Sequence, residues 1–315
     1  MSERKYISEF GLNMFGAGCV LLQQDRLNKL EGTPFGAGSP CHIYLIGRRP
    51  RVVIMPESVQ FKDGLVIGEF IIQRGAISEK HGFSTANIFG TEKLKFECPY
   101  PHSEFKIADA AGNGLMWGKV ALLVAMLDSN FWALLDFEVL YVGQSYGDEG
   151  NRSAPDRLQS HSTLQKIYAE AIRLSPDKEI WISLWSFETL LLSSFDGMAK
   201  TYGTTDEQDT QHLEKVLNTQ ITEQQKINFT EAALIRYFQP EYNILFKDTF
   251  PNPAHKTYAE CYDIDLNLVS VELQTETLKC RFWSPKITPA WVHFATFPLH
   301  SPEERRSMFD VSRKN

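Results

Sequence analysis

An α+β fold is predicted by three features of the 315-residue chain. In residues 1–115, short β-branched and aromatic runs (His42 to Ile46, Arg51 to Met55, Leu65 to Gln73, Lys93 to Cys98) lie between glycines and prolines and read as a small sheet or barrel. Residues 116–250 alternate: strand runs at Phe131 to Leu135, Val139 to Val142 and Glu179 to Trp185, helical periodicity at Arg157 to Arg173 and Phe229 to Phe238. Past Pro253, the runs Leu266 to Leu273, Leu278 to Phe282 and Trp291 to Phe297 predict a β-rich extension over residues 251–315.

The connecting elements follow from punctuation. Phe15-Gly16-Ala17-Gly18 recurs as Phe35-Gly36-Ala37-Gly38, a match too short for a repeat and read as turn chemistry. Ala110 to Lys119 is glycine-rich and ends in Gly-Lys, but Asn113 stands where a phosphate loop needs glycine and Val120 where it needs Ser or Thr. A linker into the helix Val120 to Asp128 is expected instead. The polar, acidic stretch around 195–226 reads as an insertion, and Pro240 stops the helix that follows it.

Composition narrows the function classes. Hydrophobic content of 43% supports a sizeable core. The longest apolar run, Val120 to Leu127, is too short to span a bilayer, and Met1 to Lys5 carries no signal core, so the expectation is a cytoplasmic protein with no membrane partner. Five scattered cysteines without a CxxC pair predict free thiols, not a zinc site or a disulfide framework. A net charge of −7 argues against a protein that coats nucleic acid, and residues 128–247 hold 10 Lys and Arg against 18 Asp and Glu.

That same segment carries the chemistry. Tyr141 ends an apolar strand in Tyr141-Val142-Gly143-Gln144-Ser145, where Gly143 permits a sharp turn or close approach to a phosphate. Arg157 and His161, four residues apart on one predicted helix, share a face, while Leu158, Leu164 and Ile167 mark its buried stripe. Glu231 opens the later helix and offers one carboxylate; Asn243 follows just past Pro240. Each has a plain alternative: a core tyrosine, a solvated helix face, a helix-start acid, a turn asparagine.

In this order, Tyr-Val-Gly-Gln-Ser, Arg-x3-His, Glu-Ala-Ala-Leu-Ile and Pro-Glu-Tyr-Asn resemble the GIY-YIG endonuclease domain over residues 131–246. The first triplet of the family is not retained in the strand expected to pair with Tyr141, which reads Asn130-Phe131-Trp132-Ala133-Leu134-Leu135. The loop from Tyr146 to Arg152 and the insertion near 195–226 are further departures.

The resemblance implies a core of a small antiparallel sheet flanked by helices, embedded between the two β-rich regions. It implies an endonuclease, hydrolysing phosphodiester bonds with one divalent cation, Mg2+ or Mn2+. By that resemblance Tyr141 is the general base, His161 orients it, Arg157 contacts the scissile phosphate, Glu231 holds the metal and Asn243 braces the site. The implied partner is nucleic acid, DNA before RNA, and a homo-oligomer would suit double-strand cleavage. The alternative is a catalytically degenerate module of the same type that binds nucleic acid or a protein.

Overall fold

The computed structural model describes residues 4–30, 33–35, 41–146, 154–195, 202–253 and 259–310. The chain opens with a long strand, β1 (Ser8–Leu22), and β2 (Ile43–Pro50). Next come β3 (Val52–Ile54), β4 (Gln60–Lys62), β5 (Leu65–Arg74) and β6 (Ile77–Ala86), paired as one antiparallel sheet. A second small sheet holds β7 (Lys95–Glu97), β8 (Glu104–Ala108) and β9 (Gly114–Lys119), the last within the stretch expected to be a linker. Helix α1 (Val120–Leu127) leads to β10 (Phe137–Gln144) through a 3-10 helix, Ser129–Leu135.

Two helices follow, α2 (Ala154–Leu158) and α3 (Ser162–Leu174), then β11 (Lys178–Phe195), α4 (Asp206–Asn218), α5 (Glu223–Phe238) and the short α6 (Ala259–Asp263). The chain ends in β12 (Leu268–Gln274), β13 (Phe282–Ser284), β14 (Ile287–Ala290) and β15 (Val292–Pro298).

The architecture corrects the predicted fold class. A large mixed sheet of eight strands, ordered β14-β13-β10-β2-β11-β1-β12-β15, replaces the small antiparallel sheet flanked by helices. It draws strands from all three regions of the chain, with β10 parallel to β13 and β1 parallel to β12. Pairing between segments this far apart leaves no local signature, since periodicity reports a strand's faces and not its neighbours. The longest pairing, β1 with β11, was masked by glycine: Gly16 lies under the Trp185 ring, 2.8 Å from where a Cβ would sit, and the strand bulges between Gly16 and Gly18.

Central strand β2 shows how the sheet is buried. Ile43 and Leu45 enter one apolar cluster, which includes α5 residues Ile227, Ala232 and Leu234; Tyr44 and Ile46 enter another, shared with Leu158, Leu164 and Ile167 of α2 and α3. Alternate side chains of a strand point to opposite faces, so the sheet has α5 on one side and α2 and α3 on the other.

Five local readings change. Phe131 to Leu135 is part of a 3-10 helix capped by Asp128, not a strand. The helix Arg157 to Arg173 is two helices, and the one from Phe229 starts two turns earlier at Glu223. The stretch read as an insertion contains the end of β11 and all of α4; residues 196–201 lie outside those described. Glu276–Leu278 is a 3-10 turn, leaving Phe282 to begin β13. Capping boxes at Thr205 with Gln208 and Thr222 with Gln225 set both helix starts, a T-x-x-Q spacing legible in the sequence.

Buried ion pairing ties the two ends of the chain together. Arg305, 4% exposed, donates from Nε to the Glu9 carboxylate at 3.0 Å and from Nη1 to Asp265 at 2.6 Å, and Asn267 donates to Glu9 at 3.1 Å. No helix among the described residues is long and apolar enough to cross a membrane.

Candidate active site

Strand β10 places Tyr141. Its pairing with β2 shifts between Val139 and Tyr141, so Leu140 is an extra residue. Val139 and Val142 lie in the α5-side cluster, whereas Leu140 and Tyr141 both join the α3 side. A bulge of this kind re-aims a side chain, and here it turns Tyr141 toward α2 and α3.

Gly143 is not a turn. It pairs within the strand opposite Tyr44, and a Cβ there would lie 2.6 Å from the Tyr44 ring and hydroxyl and 2.7 Å from the Tyr141 ring. Both phenols therefore lean over a bare backbone.

The strand across from Tyr141 is β2 and not Asn130 to Leu135. It begins Ile43-Tyr44, directly after His42, and β3 to α1 intervene before β10. Tyr44 is the residue that sequence reasoning missed. The signal was an Ile-Tyr inside an apolar run, hidden because the partner strand was sought next door.

Arg157 and His161 reach the same place, by different means than one helical face. Ala154, Pro155 and Leu158 of α2 are buried, leaving Arg157 exposed. His161 is the N-cap of α3, 5% exposed, its Nδ1 accepting the Leu164 N–H at 3.1 Å. That bond leaves the ring hydrogen on Nε2. The imidazole meets Tyr141 edge-on at 5.3 Å and Tyr44 at 5.7 Å between ring centres.

Glu231 comes from the other side of the sheet. It sits in mid-helix, so its placement owes nothing to a helix start, and it is half-buried beside the last residue of β10. The nearby Gln144 amide donates from Nε2 to Asn228 Oδ1 at 2.8 Å. Asn243 accepts the Val142 N–H at 2.9 Å and donates to the Val142 carbonyl at 2.8 Å, closing the free edge of β10.

Electrostatics link the group. Burial pushes the Glu231 carboxyl up to about 7, against the opposing pull of Gln144 and Arg157. Burial also raises the Tyr141 phenol, reinforced by the Glu231 charge and opposed by Arg157 and a hydrogen bond with Tyr44. Tyr44 is raised further by burial and by Tyr141, despite its hydrogen bond with Arg157. Burial and then Arg157 hold His161 below the usual imidazole range, keeping it neutral. One cation, Arg157, thus acts on all four neighbours.

Compared with family models, with curated proteins and with solved structures, the chain has no significant match. The site rests on its own geometry.

Room is not what distinguishes it. A cleft of about 500 Å³ lies elsewhere, lined by Gln23, Asp25, Arg51, Tyr168, Lys178 and Glu179, and holds none of the five predicted residues. Its cations are matched by acids on the same wall, which makes it less suited to an anion than the Arg157 cluster. Among the described residues no group of three or more His, Cys, Asp or Glu side chains is placed to hold a metal. A cation at Glu231 would take one protein carboxylate and fill its remaining positions with water and phosphate oxygens, a donor set that suits Mg2+. The raised Glu231 carboxyl fits that role, because a bound cation would offset the desolvation that pushes it up.

Proposed function

We propose that the chain is a metal-assisted endonuclease that hydrolyses phosphodiester bonds, DNA before RNA, at the cluster of Tyr141, Arg157, His161 and Glu231. One observation carries the reading: four residues chosen from sequence for complementary roles converge, although they come from a bulged strand, two helices and the opposite face of the sheet. The Ile43-Tyr44 pair opposite Gly143 supports the resemblance at the point where the sequence departed from it.

Bound at Glu231, a divalent cation supplies positive charge for the phosphate oxygens and for the departing 3′ oxygen. Arg157 holds two nonbridging oxygens through its planar fork as charge develops on them. Tyr141 first loses its proton to solvent, and Arg157 and the Tyr44 hydroxyl stabilise the phenolate. It then takes a proton from the attacking water while the new P–O bond forms and the bond to the 3′ oxygen breaks. His161, neutral and with hydrogen on Nε2, packs edge-on against the ring and fixes its position. Asn243 holds the strand on which Tyr141 sits.

A second reading, a non-cutting module that binds nucleic acid or protein, is favoured by the raised Tyr141 phenol, which without added positive charge stays protonated. Incubation of plasmid and single-stranded DNA with the protein in Mg2+ or Mn2+ separates the two. Cleavage that Tyr141→Phe and Glu231→Gln each abolish is the expected result. Cleavage indifferent to both substitutions sinks the mechanism, and chelator-insensitive binding without cleavage establishes the second reading.

A further inference from the structure

We propose that Ile244 and Leu245 form an apolar wedge that enters one base step of duplex DNA beside the phosphate to be cut. The inference rests on the endonuclease reading and names double-stranded nucleic acid as its substrate.

Ile244 is 90% and Leu245 71% exposed, and the two are adjacent. The chain on either side of them is held. The Tyr242 N–H donates to the Leu140 carbonyl at 3.0 Å, and the Asn243 amide bonds both backbone groups of Val142. On the far side Phe246 packs against the α5-side cluster, and Arg236 of α5 donates to Asp248 at 3.1 Å and to the Lys247 carbonyl. Phe246 has a φ of 67°, a left-handed conformation that a bulky residue adopts only where its surroundings impose it. A segment pinned at both ends thus presents two aliphatic side chains to solvent.

The same bonds fix where the pair stands. Tyr141 lies between Leu140 and Val142, the two residues that hold the segment, and Tyr242 shares the α3-side cluster with Tyr141. Ile244 is therefore one side-chain hydrogen bond and two peptide links from Tyr141. Phosphates recur about every 3.4 Å along a strand of duplex DNA. A side chain this close to Tyr141 meets the duplex within a few steps of the phosphate that Arg157 contacts.

Size selects the occupant. A stable protein interface buries about 800 Å² on each partner, far more than two side chains offer. Proteins that kink DNA, by contrast, insert one or two apolar side chains, Leu and Ile among them, between neighbouring bases. Opening a step in this way bends the backbone beside the wedge, which brings the phosphate out toward Arg157 and the attacking water. Arg236 also neutralises Asp248, and Lys247 adds a cation to the segment.

Duplex DNA carrying 2-aminopurine at successive steps reports the wedge, because this base brightens when it is unstacked. In the Tyr141→Phe background, where the strand is held and not cut, anisotropy follows binding and emission follows unstacking. Emission is expected to rise several-fold at one step, to stay at the level of free DNA when Ile244→Ser and Leu245→Ser are combined, and to be restored when both residues become Met instead. With Tyr141 in place, the serine pair should slow duplex cleavage roughly 10-fold. Both side chains are exposed, so neither pair of substitutions opens a cavity. Bound duplex that brightens at no step overturns the wedge and leaves the endonuclease reading standing, whereas absence of duplex binding overturns both. Dimerisation that the serine pair abolishes assigns the two side chains to a second copy of the chain and also overturns the proposal.

Discussion

Tyr44 and Tyr141 lie on neighbouring strands with ring centres 6.3 Å apart and planes inclined at 31°, and the space between them exists because residue 143 has no side chain. Gly143→Ala would put a methyl group into both rings. Overpacking of this kind costs about 1–3 kcal/mol. Urea denaturation should show that loss, and any cleavage activity should fall further than stability alone accounts for, since both phenols are displaced.

Asn243 is the sole side chain bonding both the N–H and the carbonyl of Val142 among the interactions described. Asn243→Leu leaves two buried backbone groups without partners, at about 1–3 kcal/mol each before relaxation. A drop in melting temperature together with faster hydrogen exchange at Val142 is expected; unaltered exchange would remove Asn243 from its bracing role.

Glu231 gives a pH signature. Burial pushes its carboxyl up to about 7 in the folded protein, above the ordinary value of 4.5, so the unfolded chain releases this proton first as pH rises. Stability therefore declines between those values and the full penalty is present above them. Glu231→Gln lacks the penalty: it should match the unsubstituted protein near pH 4 and exceed it at pH 8 by an amount on the order of 2 kcal/mol. Denaturation curves at the two pH values are the check.

Arg157 is exposed, and its replacement removes charge without opening a cavity. Arg157→Ala should change stability by less than about 0.5 kcal/mol while lowering the cleavage rate by roughly 100-fold. Arg157→Lys should recover only part of the rate, because a point charge cannot hold two oxygens as the planar fork does.

The pair between Arg305 and Glu9 is buried on both sides. Arg305→Met leaves the Glu9 carboxylate without its principal cation and should cost about 3–5 kcal/mol. Replacing both, with Glu9→Gln added, should recover much of that loss, because the stranded charge is then gone.

Taken alone, the sequence singled out the candidate site residues and located most short elements. Tyr141, Arg157, His161, Glu231 and Asn243 were legible from side-chain type and order, and β2, β5, β10 and β15 from runs of β-branched and aromatic residues. The stop at Pro240 was legible too, because it acts over one helical turn; the two T-x-x-Q caps lay in the stretch read as an insertion and went unread.

Tertiary structure alone decided the rest. That β2 is the partner of β10, which brings Tyr44 to Tyr141, depends on a pairing across the whole of β3 to α1. That Tyr141 faces α3 depends on a one-residue bulge at Leu140, invisible to a period-two pattern. That Gly143 makes room for two rings, when it had read as a turn, depends on what the neighbouring strand places above it. Local periodicity reports which face of an element is apolar; only long-range packing selects the element that covers it, and the site is assembled at that second step.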